Sequence, residues 1–167
     1  MKKIIPNTFV KVTGDLIIEK ESREIVLRSD VIERIRLIER DYFITLLPGG
    51  GSKISEELEK RGLAYKFGPL GREIESHEGR RVAREILEIH QEGVQNSLKR
   101  EGINAEVIPS FRKAGSVLWH VNGDLLFLEA YVNYPKLFVF TLKGVRLKKK
   151  KRAFRKYPKV EVIGFPK

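Results

Sequence analysis

The chain has 167 residues, 41% hydrophobic and 9% aromatic, enough for one domain with a real core. It has no cysteine, which excludes disulfides and thiolate metal sites. Its net charge is +11, yet ten Lys or Arg residues and no acid lie between Lys143 and Lys159, so the rest of the chain is nearly neutral. No apolar stretch approaches the roughly 20 residues that span a bilayer. The apolar part of Met1-Lys-Lys-Ile-Ile-Pro6 is too short for a signal peptide. A cytoplasmic protein without a membrane partner is expected. A charged fraction of 33% without cysteine also suits a heat-adapted source.

Residues 9–13, Phe-Val-Lys-Val-Thr, predict a short strand that ends in Gly14-Asp15. Asp30, with Glu33 three residues on, predicts a helix start through a capping box. Val31, Ile35 and Ile38 form the apolar stripe of that helix. Tyr42 to Leu47 predicts a buried strand. It runs through Pro48 into three consecutive glycines, Gly49, Gly50 and Gly51, and then Ser52. Ser52 or Ser55 caps a helix that reaches Arg61, with Gly62 as its stop. A strand that opens into a side-chain-free turn before a helix brings backbone N–H groups up to an anion, and the helix dipole favours the same charge. A phosphorylated or carboxylated small molecule is the expected ligand. A tight loop that needs positive φ is the other account of these glycines.

Ser76 to Arg100 predicts a long helix with Ala83, Leu87, His90, Val94 and Leu98 along one stripe and Val82, Ile86 and Ile89 beside it. So broad a face suits a central helix, or one shared with a second subunit in a homodimer. Gly102 ends it, and Ala105 to Ile108 reads as the next strand. Asp124 to Tyr134 predicts a helix entered from Gly123, and Leu137 to Thr141 a further strand. This alternation predicts an α/β chain with a mainly parallel sheet covered by helices, organised as a single domain over residues 1–167.

His77, His90 and His120 share no metal-ligand spacing; His90, on the apolar stripe, reads as a packed or interface histidine. Asp15 and Asp124 either hold a lysine or a magnesium ion or cap a turn. Lys11 ends its strand beside a glycine turn. The run Lys148 to Arg152 has three readings: a solvated surface, a polyphosphate site, or a nucleic-acid surface. Phe154 and Tyr157 interleave with the cations, a pattern that serves backbone contact and base stacking.

Three segments together resemble the amino acid kinase family, whose members include uridylate kinase, acetylglutamate kinase and isopentenyl phosphate kinase. Phe9-Val-Lys-Val-Thr-Gly14 resembles the opening strand and Pro48-Gly-Gly-Gly-Ser52 the glycine-rich loop. Phe138-Val-Phe-Thr-Leu-Lys-Gly-Val145, with Tyr157-Pro-Lys-Val-Glu-Val-Ile163, resembles a late strand and loop that read "TDVDGV" and "PdAklI". The long helix followed by Gly102-Ile-Asn-Ala-Glu-Val107 also fits.

The resemblance implies a three-layer αβα sandwich and phosphoryl transfer from ATP with magnesium to a small carboxylate or phosphate acceptor. Lys11 would contact the transferring phosphoryl group. Gly14, the Gly49, Gly50 and Gly51 amides and Ser52 would surround phosphate oxygens. Lys143, Lys148, Lys149 and Arg152 would bind nucleotide or another anion. No Walker loop occurs. Leu142 and Lys143 stand where the family carries aspartates, and the family continues for roughly another 60 to 100 residues, a segment of sub-domain size. The resemblance therefore implies a shortened nucleotide lobe and weak or absent transfer. The alternative is non-catalytic binding of an anionic ligand or nucleic acid through residues 143–159.

Overall fold

A computed structural model describes residues 5–114 and 117–167, with the side chains of 113–120 left aside. Strand β1 (Asn7–Val12) turns Phe9 to one side and Val10 and Val12 to the other, the two-residue period of a strand buried on both faces. A 3-10 turn, Gly14–Leu16, leads into a hairpin of β2 (Ile17–Glu19) and β3 (Ile25–Leu27). Then follow α1 (Ser29–Glu39), β4 (Phe43–Pro48) and α2 (Gly51–Lys60). A second hairpin, β5 (Lys66–Gly68) and β6 (Gly71–Glu73), precedes α3 (His77–Arg100) and β7 (Ala105–Val107). A third, β8 (Phe111–Ala114) and β9 (Val117–His120), precedes α4 (Gly123–Glu129). The chain closes with β10 (Lys136–Leu142), α5 (Val145–Ala153) and β11 (Val160–Phe165).

Five strands form one parallel sheet in the order β11-β10-β1-β4-β7. The chain grows from β1 through β4 to β7, then returns to add β10 and β11 on the other side of β1. The order therefore reverses between β1 and β10. At such a switch point the connections leave in opposite directions and open a crevice at the carboxyl ends of the strands. The register sets Lys11 beside Leu47 of β4 and Val139 of β10.

Helices cover both faces, as the αβα reading expects. Val31 and Ile35 of α1 and Val94 and Leu98 of α3 pack on Val10, Ile44, Leu46, Phe138 and Phe140. Leu126 and Phe127 of α4, with Phe154 just past α5, pack on Phe9, Leu47, Leu137 and Val139. Helix α2 sits on α3 instead, through Ile54 and Leu58 against Val82, Ala83, Ile86 and Leu87. The broad apolar face of α3 is thus largely covered within the chain, although Ile89 is 54% exposed. Among the described residues no helix is long and apolar enough to cross a membrane.

Several local expectations are corrected. The Asp30–Glu33 capping box does not form: α1 starts at Ser29 after Arg28, and the Asp30 carboxylate takes the Arg28 guanidinium at 2.6 and 3.1 Å. Neither Ser52 nor Ser55 caps α2. It starts at Gly51 after Gly50, and both serines lie within it. Ser76 does cap α3, its Oγ accepting from the Gly79 N–H at 3.0 Å. Helix α4 stops at Glu129 and tightens into a 3-10 turn, Ala130–Val132, short of Tyr134, and Asn122 caps it. The three hairpins were not expected because strands of three or four residues carry too little alternation to read. Nor was α5: none of its nine residues is buried, so it has no apolar stripe.

Phe127 is fully buried and meets Phe9 and Phe154 edge-on, with ring centroids 5.7 and 5.4 Å away. Phe127→Ala is expected to cost about 3–5 kcal/mol of unfolding free energy, read as a lower midpoint in urea.

Candidate functional site

The loops after β1 and β4 are tied together at the sheet's carboxyl edge. The Gly49 N–H donates to the Val12 carbonyl at 2.7 Å, and the Thr13 N–H donates to the Phe140 carbonyl of β10 at 3.0 Å. A Cβ on Gly49 would stand 2.9 Å from the Gly14 nitrogen, and one on Gly50 would stand 3.0 Å from Leu87 Cδ2. One on Gly51 would touch nothing. None of the three glycines has positive φ. Close approach, not a left-handed backbone, is therefore what demands glycine at 49 and 50.

Helix α2 begins directly after this loop, with no side-chain cap. Its first-turn N–H groups have no intrahelical partner, and its dipole is positive there. His90, buried on the stripe of α3, holds the loop from behind. Its Nδ1 lies 2.9 Å from the Gly49 carbonyl oxygen. A carbonyl only accepts, so Nδ1 carries the hydrogen. Burial pushes the His90 pKa below its ordinary value against the opposing pull of the Gly49 contact, so the ring is neutral near pH 7.

Lys11 points from β1 across the sheet edge to α4. Its ammonium is 6% exposed by residue and pairs with Asp124 Oδ1. Lys150 of α5 reaches the other oxygen, Oδ2, at 2.5 Å. Gly123 makes the passage possible, since a Cβ there would stand 3.0 Å from Lys11 Cε. Burial lowers the Lys11 pKa from 10.5 to about 8; Asp124 opposes the shift and Lys150 adds to it. Burial raises the Asp124 pKa, but the two lysines outweigh it and hold the carboxyl below its usual value.

These residues line one cleft of about 560 Å³ at the switch point. Its walls include five cations, Lys11, Arg72, Arg146, Lys149 and Lys150, against two carboxylates, Asp15 and Asp124. Arg146 pairs with Asp15. Arg72, from β6, donates to the Gly51 carbonyl at 2.6 Å and the Ser55 Oγ at 2.7 Å, and its guanidinium lies over Tyr65 and Phe67. The Thr13 and Thr141 hydroxyls also face this edge, buried and without a hydrogen-bond partner. A buried hydroxyl left unpaired is costly unless a ligand or water completes it.

The expected residues Lys11, Gly14, Gly49, Gly50, Gly51, Ser52 and Lys149 converge here. Lys143, Lys148 and Arg152 do not line the cleft: they are exposed, Lys143 at the exit of β10 and the other two on the outer side of α5. Asp15 and Asp124 hold cations, one of the two roles expected of them. His77 is exposed at the start of α3, and the side chains of Trp119 and His120 lie outside the described residues. Arg72, Arg146, Thr13 and Thr141 were not expected, and Lys150 only as one member of the run Lys148 to Arg152. A run in which nearly every residue is basic has no period to say which members turn inward.

The donor set suits phosphate: unpaired first-turn amides, orphan hydroxyls and an excess of cations. Among the described residues no group of three or more His, Asp or Glu could hold a metal ion. Magnesium takes one or two carboxylates plus phosphate oxygens, and here it would have to draw Asp15 from Arg146 or Asp124 from its lysines.

No family model matches the chain, and no curated protein does. Among solved structures it is similar to one described as "X-ray structures of isopentenyl phosphate kinase". The TM-score is 0.46 and the identity 13%, over 94% of this chain and 90% of that one. A likeness of this size says nothing about what the cleft binds.

Two expectations follow from the geometry. Gly49→Ala costs about 1–3 kcal/mol by overpacking against the β1 loop, whereas Gly51→Ala changes stability by less than about 1 kcal/mol, towards stabilisation. Paired urea denaturation curves check this. Lys11 is charged below its pKa of about 8 and loses its proton above it. A phosphate monoester is already a dianion above about pH 6, so its affinity falls as pH rises from 7.5 to 9.5. Lys11→Arg flattens that fall, because a guanidinium stays charged; calorimetry across that range is the check.

Proposed function

We propose that the switch-point cleft binds the phosphate groups of a small phosphorylated molecule, and that the protein is a kinase-like phosphotransferase acting from ATP on a small carboxylate or phosphate acceptor. One observation carries the reading. A buried lysine, held on Asp124, shares a cleft with the unpaired amides at the start of α2 and two orphan hydroxyls. Phosphoryl transfer asks a protein chiefly to position the group and neutralise its equatorial oxygens. The α2 amides and the Gly14 turn provide the cradle. Lys11 and Lys150 provide charge, and Asp124 keeps both ammonium groups at fixed positions. Arg72 and Arg146 close the cleft from opposite sides.

A second reading, binding without turnover, has its own support. Both cleft carboxylates are engaged with cations, and Leu142 and Lys143 occupy the exit of β10. Neither orients a metal–nucleotide complex. Turnover assays separate the two. Magnesium-dependent transfer at about 1–100 per second, the range of kinases, supports the enzyme, whereas tight binding with no transfer supports the second reading.

A thermal-shift screen of nucleotides and acyl or isoprenyl phosphates finds the ligand. At 100 times its Kd a ligand adds about 2.7 kcal/mol. Lys11→Ala is expected to weaken the best ligand by about 1.5–3 kcal/mol, the worth of a charge-assisted bond. The chain still folds, because Asp124 keeps Lys150. Unchanged affinity by calorimetry would make Lys11 only structural.

A further inference from the structure

Helix α5 presents cations all round, and the cleft takes only one side of them. Arg146, Lys149 and Lys150 line the cleft. Lys148, Lys151 and Arg152 follow the i, i+3, i+4 spacing along the opposite side, Arg155 lies in the turn just past the helix, and all four are exposed. On α3, by contrast, Arg81 and Arg84 are matched by Glu85 and Glu88. No carboxylate among the described residues pairs with any of these four. Residues 143–159 contain no acid at all, and they account for nearly the whole net charge of +11. Such a stripe repels itself when free and is relieved by a dense anion.

The shape of the stripe selects among anions. At about 1.5 Å of rise per residue its helical part, Lys148 to Arg152, extends about 6 Å, while duplex nucleic acid carries a charge about every 1.7 Å of axis. An anionic bilayer fits less well, because a helix that lies in a membrane surface needs an apolar face. The apolar residues of α5 are Val145, Leu147 and Ala153, and Leu147 is packed against Gly164. A single strand also fits less well. Phe154 is 4% exposed and meets Phe127, and Tyr157 meets Tyr131 and Phe154. The two rings interleaved with the cations are thus core rings, not the base-stacking platform the sequence suggested.

We propose that the outer side of α5 and the turn after it dock on the phosphodiester backbone of duplex nucleic acid, through Lys148, Lys151, Arg152 and Arg155, without sequence preference. This surface shares no residue with the cleft, so it stands whether or not the cleft is a kinase site. The test is fluorescence anisotropy of the full chain with labelled 20-base-pair DNA and RNA duplexes across 50 to 200 mM salt. Binding is expected at low salt, with log K falling by about 0.9 per phosphate neutralised for each unit of log salt. The quadruple variant K148Q/K151Q/R152Q/R155Q should bind at least about tenfold more weakly, with a slope shallower by about 3 to 4. A control with the same charge change on other exposed cations, K60Q/K66Q/R81Q/K99Q, should stay within about twofold. Lys11→Ala should leave duplex affinity intact. If the quadruple variant fails to fold, Lys148→Gln and Arg152→Gln singly should each reduce the slope by about 0.9. The tighter of the two duplexes names the partner as DNA or RNA. No binding at 50 mM salt, equal losses in the variant and the control, or tighter binding to single strands or phosphatidylserine vesicles than to either duplex would overturn the proposal.

Discussion

Lys11 ends β1 with its ammonium almost wholly removed from water. An unpaired charge in that position costs several kcal/mol, so a carboxylate has to meet it. Asp124 does, and the second half of the chain is arranged around that meeting. Gly123 leaves room for the lysine stem, Asn122 caps α4 so that Asp124 enters at the right height, and Lys150 ties α5 to the same carboxylate. Two cations on one carboxylate leave positive charge over. That surplus is what makes the crevice attractive to an anion, and it adds to the burial that lowers the Lys11 pKa.

The glycine loop answers the same edge of the sheet from the other side. It lies so close to the β1 turn that Gly49 has no space for a side chain. Its carbonyl is turned back towards His90, and Gly50, Gly51 and Ser52 at the uncapped start of α2 line the crevice. The proposed anion site is the joint result of a β-strand crossover, a tight approach of two loops and one buried imidazole. No single segment contains it. The kinase-like reading adds that a group held between these amides and Lys11 has its charge neutralised by fixed dipoles and cations that need no rearrangement during reaction.

Much of the scaffold is legible from local pattern. Buried strands announce themselves as apolar runs, so β1, β4, β7 and β10 fall within a residue or two of their expected bounds. Helix α3, with its Ser76 cap and stripe, falls where expected too. Strands of three or four residues joined by tight turns, and a helix without an apolar face, carry too little pattern to read, which is why the hairpins and α5 are not legible in the sequence. Capping was read less well. Ser55 lies inside α2, where Arg72 donates to it, and Asp30 lies inside α1, where it takes Arg28 and its Oδ1 accepts from the Val31 N–H at 3.0 Å, so neither stands at the cap position.

By itself the sequence determined that a strand-end lysine and a glycine turn belong to an α/β chain with a parallel sheet, because residue periodicity and glycine clustering are local properties. It also determined that the positive charge is confined to one segment. Only the tertiary structure decided which cations share the crevice. Asp124 and Lys150 come from 113 and 139 residues beyond Lys11, and their approach depends on strand order and on the placing of α4 and α5. A helix in which six of nine residues are cations has no preferred face until other elements turn it, and here Asp124, Asp15 and the packing of Leu147 on Gly164 do so.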